Sequence, residues 1–462
     1  MSKPVIAIFD VGKTNKKLFL IDESYQIVYE RSARFVETVD EDGEPCENLE
    51  RLKSSVFEAL HQVFQLEEFD IKAINFSTYG ASFVYLDEHG EPLTPLYNYL
   101  KPYPDHLERA FYAAYGGQEQ ISLATASPVL GSLNSGMQVY RLKYERPDLF
   151  AKVKYALHLP QYLSYLITGR AAADITSIGC HTQLWDFDRN QYHQWVLQEE
   201  IDGKFGAFTP ADATISAQFD GKLVNVGVGL HDSSAALIPY LANFNKPFIL
   251  ISTGTWCITL NPFNQEILTT EELKQDCLCY MHYRGKPVKA SRIFAGYEHE
   301  VQLKRIAEHF DRAAYLFKHL KFNPSLILKL AGKVPENSVP QASFCAVSGF
   351  ADRKLSLFQT AEEAYYQLIF DLVKQQIYAL KLVLNSDVKR IFVDGGFGKN
   401  ALYMQLLANA IPHIEVYASS VSQATAIGTA LAINAGWNNN PPPTDMIQLK
   451  YYSAIQRSFE SF

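Results

Sequence analysis

The chain has 462 residues, a formal net charge of −8, and a composition that is 47% hydrophobic and 20% charged. That length exceeds one ordinary core and calls for two or three domains, while the acidic balance argues against nucleic acid or an anionic membrane as the main partner. Six cysteines in so long a chain make no disulfide framework, and no apolar run reaches the length of a membrane span.

Met1-Ser2-Lys3-Pro4 leads straight into a strand-like run without a signal-peptide pattern, so a reduced cytoplasmic enzyme is expected. Val5 to Phe9 reads as a buried strand that ends in the turn Asp10-Val11-Gly12-Lys13-Thr14-Asn15. Gly12-Lys13-Thr14 resembles the end of a P-loop, but position 7 is Ala7 and a strand follows where a helix is required. What remains is a hairpin. Either Gly12, Thr14 and Asn15 bend around phosphates while Asp10 holds Mg²⁺ through water, or the hairpin is an ordinary polar one. Lys17 to Asp22 and Gln26 to Glu30 continue as strands. Asn48 to Phe64 reads as a helix with Leu49, Leu52, Val56, Leu60 and Val63 on one face. Ala73 to Ser77 is the next strand, running into Thr78-Tyr79-Gly80. Tyr97 to Tyr103, with Pro102 and Pro104, marks a loop whose aromatics suit packing and which could cover a site.

Leu223 to Val228 opens a second strand-rich section, followed by Gly229-Leu230-His231-Asp232-Ser233-Ser234. Asp232 is open to two readings, an N-cap and a carboxylate presented at the mouth of a cleft. Phe248 to Ser252 then delivers Thr253-Gly254-Thr255, whose hydroxyls and backbone N–H groups suit an anion. Cys277 and Cys279 read as strand thiols rather than metal ligands, and Glu298-His299-Glu300 as a solvated polar turn. A helix from Thr360 to Leu384, a strand from Arg390 to Val393, and helices at Asn400–Ala410 and Gln423–Ala435 complete the order. Gly396 to Ala401 matches G-x-G-x-x-A, a weak dinucleotide signature; the alternative is that Gly395 and Gly396 let the backbone lie against an adenosine beside Asn400. Tyr451, Tyr452, Phe459 and Phe462 predict a tail that packs back.

The second half repeats the first in order, which predicts a duplicated α/β fold divided near Gly229 into residues 1–228 and 229–462. Three anion-binding turns and one isolated acid suggest a nucleotide-dependent phosphotransferase. An NAD-dependent oxidoreductase and a non-catalytic sugar or nucleotide sensor are the rival classes.

Taken in order, the segments Asp10 to Asn15, Gly229 to Trp256, Asp394-Gly395-Gly396 with Asn400, Gln405 and Ala408, and Ala424 to Ala430 resemble the FGGY family of carbohydrate kinases. The rhamnulokinase and fuculokinase branch is the most similar, through Asn75 to Gly80, Phe83 to Asp87, Pro160 to Leu163, Leu166 to Gly169 and Asp174 to Ser177. The chain departs from the family pattern at Tyr97-Asn98-Tyr99, at Gln138 and Arg141, and at Phe294 to Glu298. The resemblance implies two ribonuclease-H-like domains of the actin-like ATPase superfamily around a central cleft, the N-terminal one for sugar and the C-terminal one for ATP. It implies Asp232 as base, Asp10 at the Mg²⁺, Thr253, Gly254 and Thr255 at the γ-phosphate with help from Lys17, and Tyr79, Gly80 and His231 beside the sugar. The implied acceptor is a ketose, a 6-deoxy ketohexose phosphorylated at O1, with xylulose or another ketose or polyol as alternative. A monomer or homodimer is expected, with no nucleic-acid or membrane partner.

Overall fold

The computed structural model describes residues 2–13, 15–320, 322–326, 348–421 and 423–454. The chain divides into two compact units. The first comprises Met1–Asn243, Cys279–Pro287 and Ser422–Met446; the second comprises Phe244–Leu278, Val288–Val421 and Ile447–Phe462. The first stretch thus runs past Gly229 to Asn243, and the chain later returns to the same unit twice.

In the first unit the sheet runs Thr214–Phe219, Lys222–Gly227, Phe69–Thr78, Lys3–Val11, Lys16–Asp22, Ile27–Ala33, with Leu230–His231 also paired to Phe69–Thr78. Lys3–Val11 is parallel to Phe69–Thr78 and antiparallel to Lys16–Asp22. Val5, Ile6, Ala7 and Ile8 are all fully buried, which explains their unbroken apolar run: a central strand covered on both faces needs no polar alternation. The helix Leu49–Phe64 starts where Asn48 Oδ1 accepts the Arg51 N–H at 2.9 Å, and its Leu49, Leu52, Val56, Leu60 and Val63 join the strand side chains Val5, Ala7 and Phe9 in one core. A second core gathers Phe83, Tyr85, Phe111, Tyr140 and Trp195. Late in the chain, the helix Ala424–Ala432 packs on the helix Asp232–Asn243 of the same unit. Gly428 lets the two backbones touch, since a Cβ there would run into the Ala235 carbonyl. Asn75 Nδ2 donates to Thr429 O at 3.0 Å, and the Tyr25 and Trp437 rings meet edge to face at 5.8 Å.

The second unit repeats the path: Pro287–Ile293, Cys257–Asn261, Phe248–Thr253, Arg390–Gly395, Glu415–Ser420, Gln448–Tyr452, with Cys277–Met281 at the edge. Both sheets consist of antiparallel pairs leading to a central strand, then parallel pairs, then an antiparallel edge. The repeat predicted from element order is therefore a repeat of topology. Ala361–Val383, capped where Thr360 Oγ1 accepts the Glu363 N–H at 3.1 Å, is the crossover helix and is buried over most of its circumference.

The tail strand Gln448–Tyr452 pairs with Glu415–Ser420, so Tyr451 and Tyr452 do pack back; Phe459 and Phe462 lie outside the described residues. Cys277 and Cys279 are buried strand thiols as predicted. Glu298-His299-Glu300 is not a solvated turn. It lies in the helix Ala295–His309, where buried Glu298 accepts the Ser348 hydroxyl at 2.8 Å and His299 meets the Tyr365 hydroxyl at 3.3 Å.

Candidate active site

In the first unit three parallel neighbours end together. Asp10 sits opposite Ser77 and Val11 opposite Thr78, while Leu230 and His231 pair with the same Ser77 and Thr78 from the other side. Asp10, Gly80 and Asp232 therefore emerge at the carboxyl ends of adjacent strands, where open α/β sheets place their ligands. The Ser77 hydroxyl donates to Asp10 Oδ1 at 3.4 Å. Burial, and next the charge of Asp232, push the Asp10 carboxyl up from 3.8 to about 7, against the opposing pull of Ser77 and Lys17.

Asp232 is the first residue of the helix Asp232–Asn243, and its Oδ1 accepts the Ser233 N–H at 2.6 Å and the Ser233 hydroxyl at 3.2 Å. Asp232 therefore stands one position past an N-cap and bonds the next residue, and its carboxylate remains 34% exposed. His231 beside it is buried and confined on several sides. Its Nε2 lies 3.3 Å from Cys180 Sγ and 3.2 Å from Asp232 Oδ1, Tyr280 stacks on the ring at 5.7 Å, and His181 approaches edge-on at 6.4 Å. Burial pulls the imidazole pKa down and the Asp232 charge opposes this, which leaves a neutral ring at pH 7.

Gly80 serves this ring. A Cβ at position 80 would come within 2.9 Å of His231 Cδ2, so the glycine admits the imidazole. Tyr79 turns into the core and its hydroxyl donates to Glu47 Oε2 at 2.7 Å, in a group that also contains the Lys16–Glu47 ion pair. In the hairpin, Gly12 N–H bonds Asn15 O at 2.9 Å, Asn15 Oδ1 accepts from Arg34 Nε at 2.7 Å, and Lys17 Nζ is paired with Glu30 at 3.0 Å. Thr14 lies outside the described residues.

The second unit brings together the other candidates. Thr253 and Gly395 are register partners on parallel strands. The Thr253 hydroxyl donates to Asp394 O at 2.5 Å and accepts the Phe397 N–H at 3.0 Å, so it laces the two turns together; Gly254 and Thr255 are exposed. Gly396 carries its hydrogen toward open space, with nothing within 4 Å of a Cβ built there. Asn400 caps the helix Ala401–Ala410 by accepting from Leu402 and Tyr403 N–H at 3.1 Å each, and its Nδ2 donates to the Tyr365 hydroxyl at 2.9 Å.

The N-terminal domain model of the FGGY family of carbohydrate kinases matches residues 5–200, and the carbohydrate kinase FGGY C-terminal domain model matches residues 245–441. The chain belongs to the FGGY family of carbohydrate kinases. Among curated relatives of this FGGY kinase, a rhamnulokinase of Halalkalibacterium halodurans is 23% identical over 92% of this chain and 91% of its own. An L-fuculokinase of Haemophilus influenzae is 22% identical over 94% of each chain. A carbohydrate kinase from Novosphingobium aromaticivorans superposes with a TM-score of 0.79 at 22% identity, over 99% of this chain and 95% of that one. A ligand-bound xylulose kinase from Lactobacillus acidophilus does so with a TM-score of 0.76 at 16% identity, over 98% and 94%. These neighbours share the two-sheet α/β fold described above, and its family makes the protein a carbohydrate kinase. No helix among the described residues is long and apolar enough to cross a membrane.

Several residues around His231 carry no signal in the sequence. Cys180, His181 and Tyr280 reach His231 from distant segments, and the Asp232 charge is felt at Tyr99, whose ring lies 5.8 Å from that of Tyr79. On the far flank of the same loop, Tyr97, Asn98 and Lys101 line a cavity of about 420 Å³ together with Gln138 and Arg141. Its cations are held by carboxylates, Lys101 by Asp40 and Asp42, and Arg141 by Asp42 and Glu145.

Thr253→Val removes the hydroxyl that bonds the Asp394 carbonyl and the buried Phe397 N–H, at a cost of about 1–3 kcal/mol. The melting temperature and the constant for ATP should therefore worsen together, which thermal melts and steady-state assays on one preparation would record. Buried Asp174 supplies a pH test. Burial raises its carboxyl from 3.8 to about 7 despite the hydrogen bonds it accepts, so the folded state binds the proton more tightly than the unfolded chain. Its contribution to stability is accordingly lost as pH rises from about 4 to about 7. Urea midpoints of wild type and Asp174→Asn should move apart in the variant's favour across that window.

Proposed function

We propose that this kinase transfers the γ-phosphate of ATP to O1 of a ketose, and that the ketose is a 6-deoxy ketohexose such as rhamnulose or fuculose. The observation that carries the mechanism is the placement of part-exposed Asp232 beside buried His231, whose Nε2 lies 3.2 Å from Asp232 Oδ1, at the carboxyl end of the first sheet. Asp232 accepts the proton of the sugar hydroxyl as that oxygen bonds to the γ-phosphorus. The bond from the γ-phosphorus to the β–γ bridging oxygen breaks, and ADP leaves with the electron pair. Because the transition state is loose and charge-spread, positioning and electrostatics supply most of the acceleration. Gly254 and Thr255 hold the transferring phosphate, and Gly395 and Gly396 let the nucleotide lie against the backbone.

Asp10, with the Ser77 hydroxyl beside it, is the residue that would hold a divalent cation. Its carboxyl already bears repulsion from Asp232, and a Mg²⁺ held there through water would offset it. When bound, Mg²⁺ supplies neutralisation of phosphate charge. Among the described residues no three His, Cys, Asp or Glu side chains converge on one point. The described cysteines are all buried as free thiols, and we place the enzyme in the cytoplasm as a monomer or homodimer.

The choice of sugar follows the rhamnulokinase and L-fuculokinase relatives. The neighbours described as xylulose kinases support a second reading, a pentulose acceptor. Loss of one methyl contact changes selectivity by about 1–3 kcal/mol, so a pentulose should be turned over less efficiently. A coupled ADP-release panel of ketoses, aldoses and glycerol is the test. Rhamnulose or fuculose should give the highest kcat/KM, and an aldose or glycerol ahead of every ketose would overturn the assignment.

A further inference from the structure

Leu230–His231 is a two-residue strand, and its position decides where Asp232 stands. One edge pairs with Ser77 and Thr78. Upstream, Gly229 N–H donates to Asn75 Oδ1 at 3.2 Å and Gln161 Nε2 donates to Gly229 O at 2.9 Å. The remaining backbone N–H, that of His231, donates to the Thr176 hydroxyl oxygen at 3.0 Å. Thr176 is fully buried, and its hydroxyl also contacts Asp174 Oδ1, which in addition accepts the Thr176 N–H at 2.9 Å.

A hydroxyl has one hydrogen. With that hydrogen directed to the Asp174 carboxylate, a lone pair of the Thr176 oxygen is left facing the His231 N–H. Asp174 also caps the four-residue helix Ile175–Ile178, but a neutral Asn or Ser serves as well for a cap. A fully buried carboxyl group with one oxygen, Oδ2, lacking a hydrogen-bond partner among the described residues is a costly way to cap so short a helix. Orienting the hydroxyl that grips the residue before Asp232 accounts for it.

We infer that Thr176, oriented by Asp174, is a positioning residue that fixes the backbone of His231 and so sets the place of Asp232. This rests on the reading of Asp232 as the base. Small misplacements of a catalytic group cost up to about 10²-fold.

The test is Thr176→Val, equal in size and lacking the hydroxyl, made in wild type and in Asp232→Asn, with single-turnover transfer from labelled ATP in each. In wild type kcat should fall between about tenfold and a hundredfold with the constant for ATP little changed, and Thr176→Ser should recover most of the loss. In Asp232→Asn, where the base is already gone, the same change should cost nothing further. An unchanged kcat in Thr176→Val, or an equal loss in both backgrounds, overturns the positioning role while leaving Asp232 as base. If Asp232→Asn itself turns over normally, the base assignment and this inference fall together. Should the valine variant not fold, Thr176→Ala read in the same two backgrounds decides in the same way.

Discussion

Asp232→Asn is expected to lower kcat by about 10²–10⁴ while the protein folds normally and still binds ATP. The amide keeps the shape of the side chain, and its oxygen can still accept from Ser233 N–H and Oγ, the two donors that Asp232 Oδ1 now engages. The start of the helix Asp232–Asn243 is thereby preserved. What disappears is the ability to take a proton from an attacking hydroxyl. An unchanged melting temperature, calorimetric ATP binding close to wild type and a collapsed turnover would together mark Asp232 as the base. Turnover within a few-fold of wild type would remove it from that role.

Gly395→Ala and Gly396→Ala, one position apart, should give opposite results. Gly395 has φ of +90°, and a Cβ on it would overlap the Thr253 carbonyl. The left-handed backbone costs an ordinary residue about 1–2 kcal/mol, and overpacking against rigid backbone about 1–3 kcal/mol more. Gly396 has right-handed helical φ and ψ and open space where its Cβ would go. The first variant should lose several degrees or more of melting temperature and part of its soluble yield; the second should melt like wild type. A larger residue at the second position, Gly396→Val, should instead raise the ATP requirement without unfolding. Equal melting temperatures for the two alanine variants would contradict the close contact between the Thr253 and Gly395 strands.

The strands were legible as apolar runs, Val5 to Phe9, Phe248 to Ser252 and Arg390 to Val393, though each continues one or two residues past its run, to Val11, Thr253 and Gly395, because backbone pairing does not stop where the side chains turn polar. The helices at Leu49–Phe64 and Ala361–Val383 were legible for similarly local reasons, a capping side chain followed by a periodic stripe. Hydroxyl and amide directions were not. Tyr79, Thr253 and Asn400 have the right chemistry for a ligand, yet Glu47, Asp394 and Tyr365 engage their polar groups, and these partners lie far away in sequence. Cys180, His181 and Tyr280 sit in segments with no motif of their own, and only topology carries them to His231; Asp174 and Thr176 lie in a segment that entered only through the family resemblance, with no role read for either side chain. Glu298 read as solvated because sequence shows its charge and not the buried Ser348 hydroxyl that satisfies it.

The late return of the chain to its first unit has a consequence for how the protein is made. Asp232–Asn243 is covered by Ala424–Ala432, with Gly428 set against Ala235, and Asn75 waits for the carbonyl of Thr429. During vectorial synthesis at about 5–20 residues per second, roughly 10–40 s separate the appearance of Asn243 from that of Met446. Throughout that interval the nascent first unit shows the ribosome surface, and any chaperone nearby, an apolar flank that nothing yet synthesised can cover. The last step of its folding thus waits for a segment made about two hundred residues after the first stretch is complete.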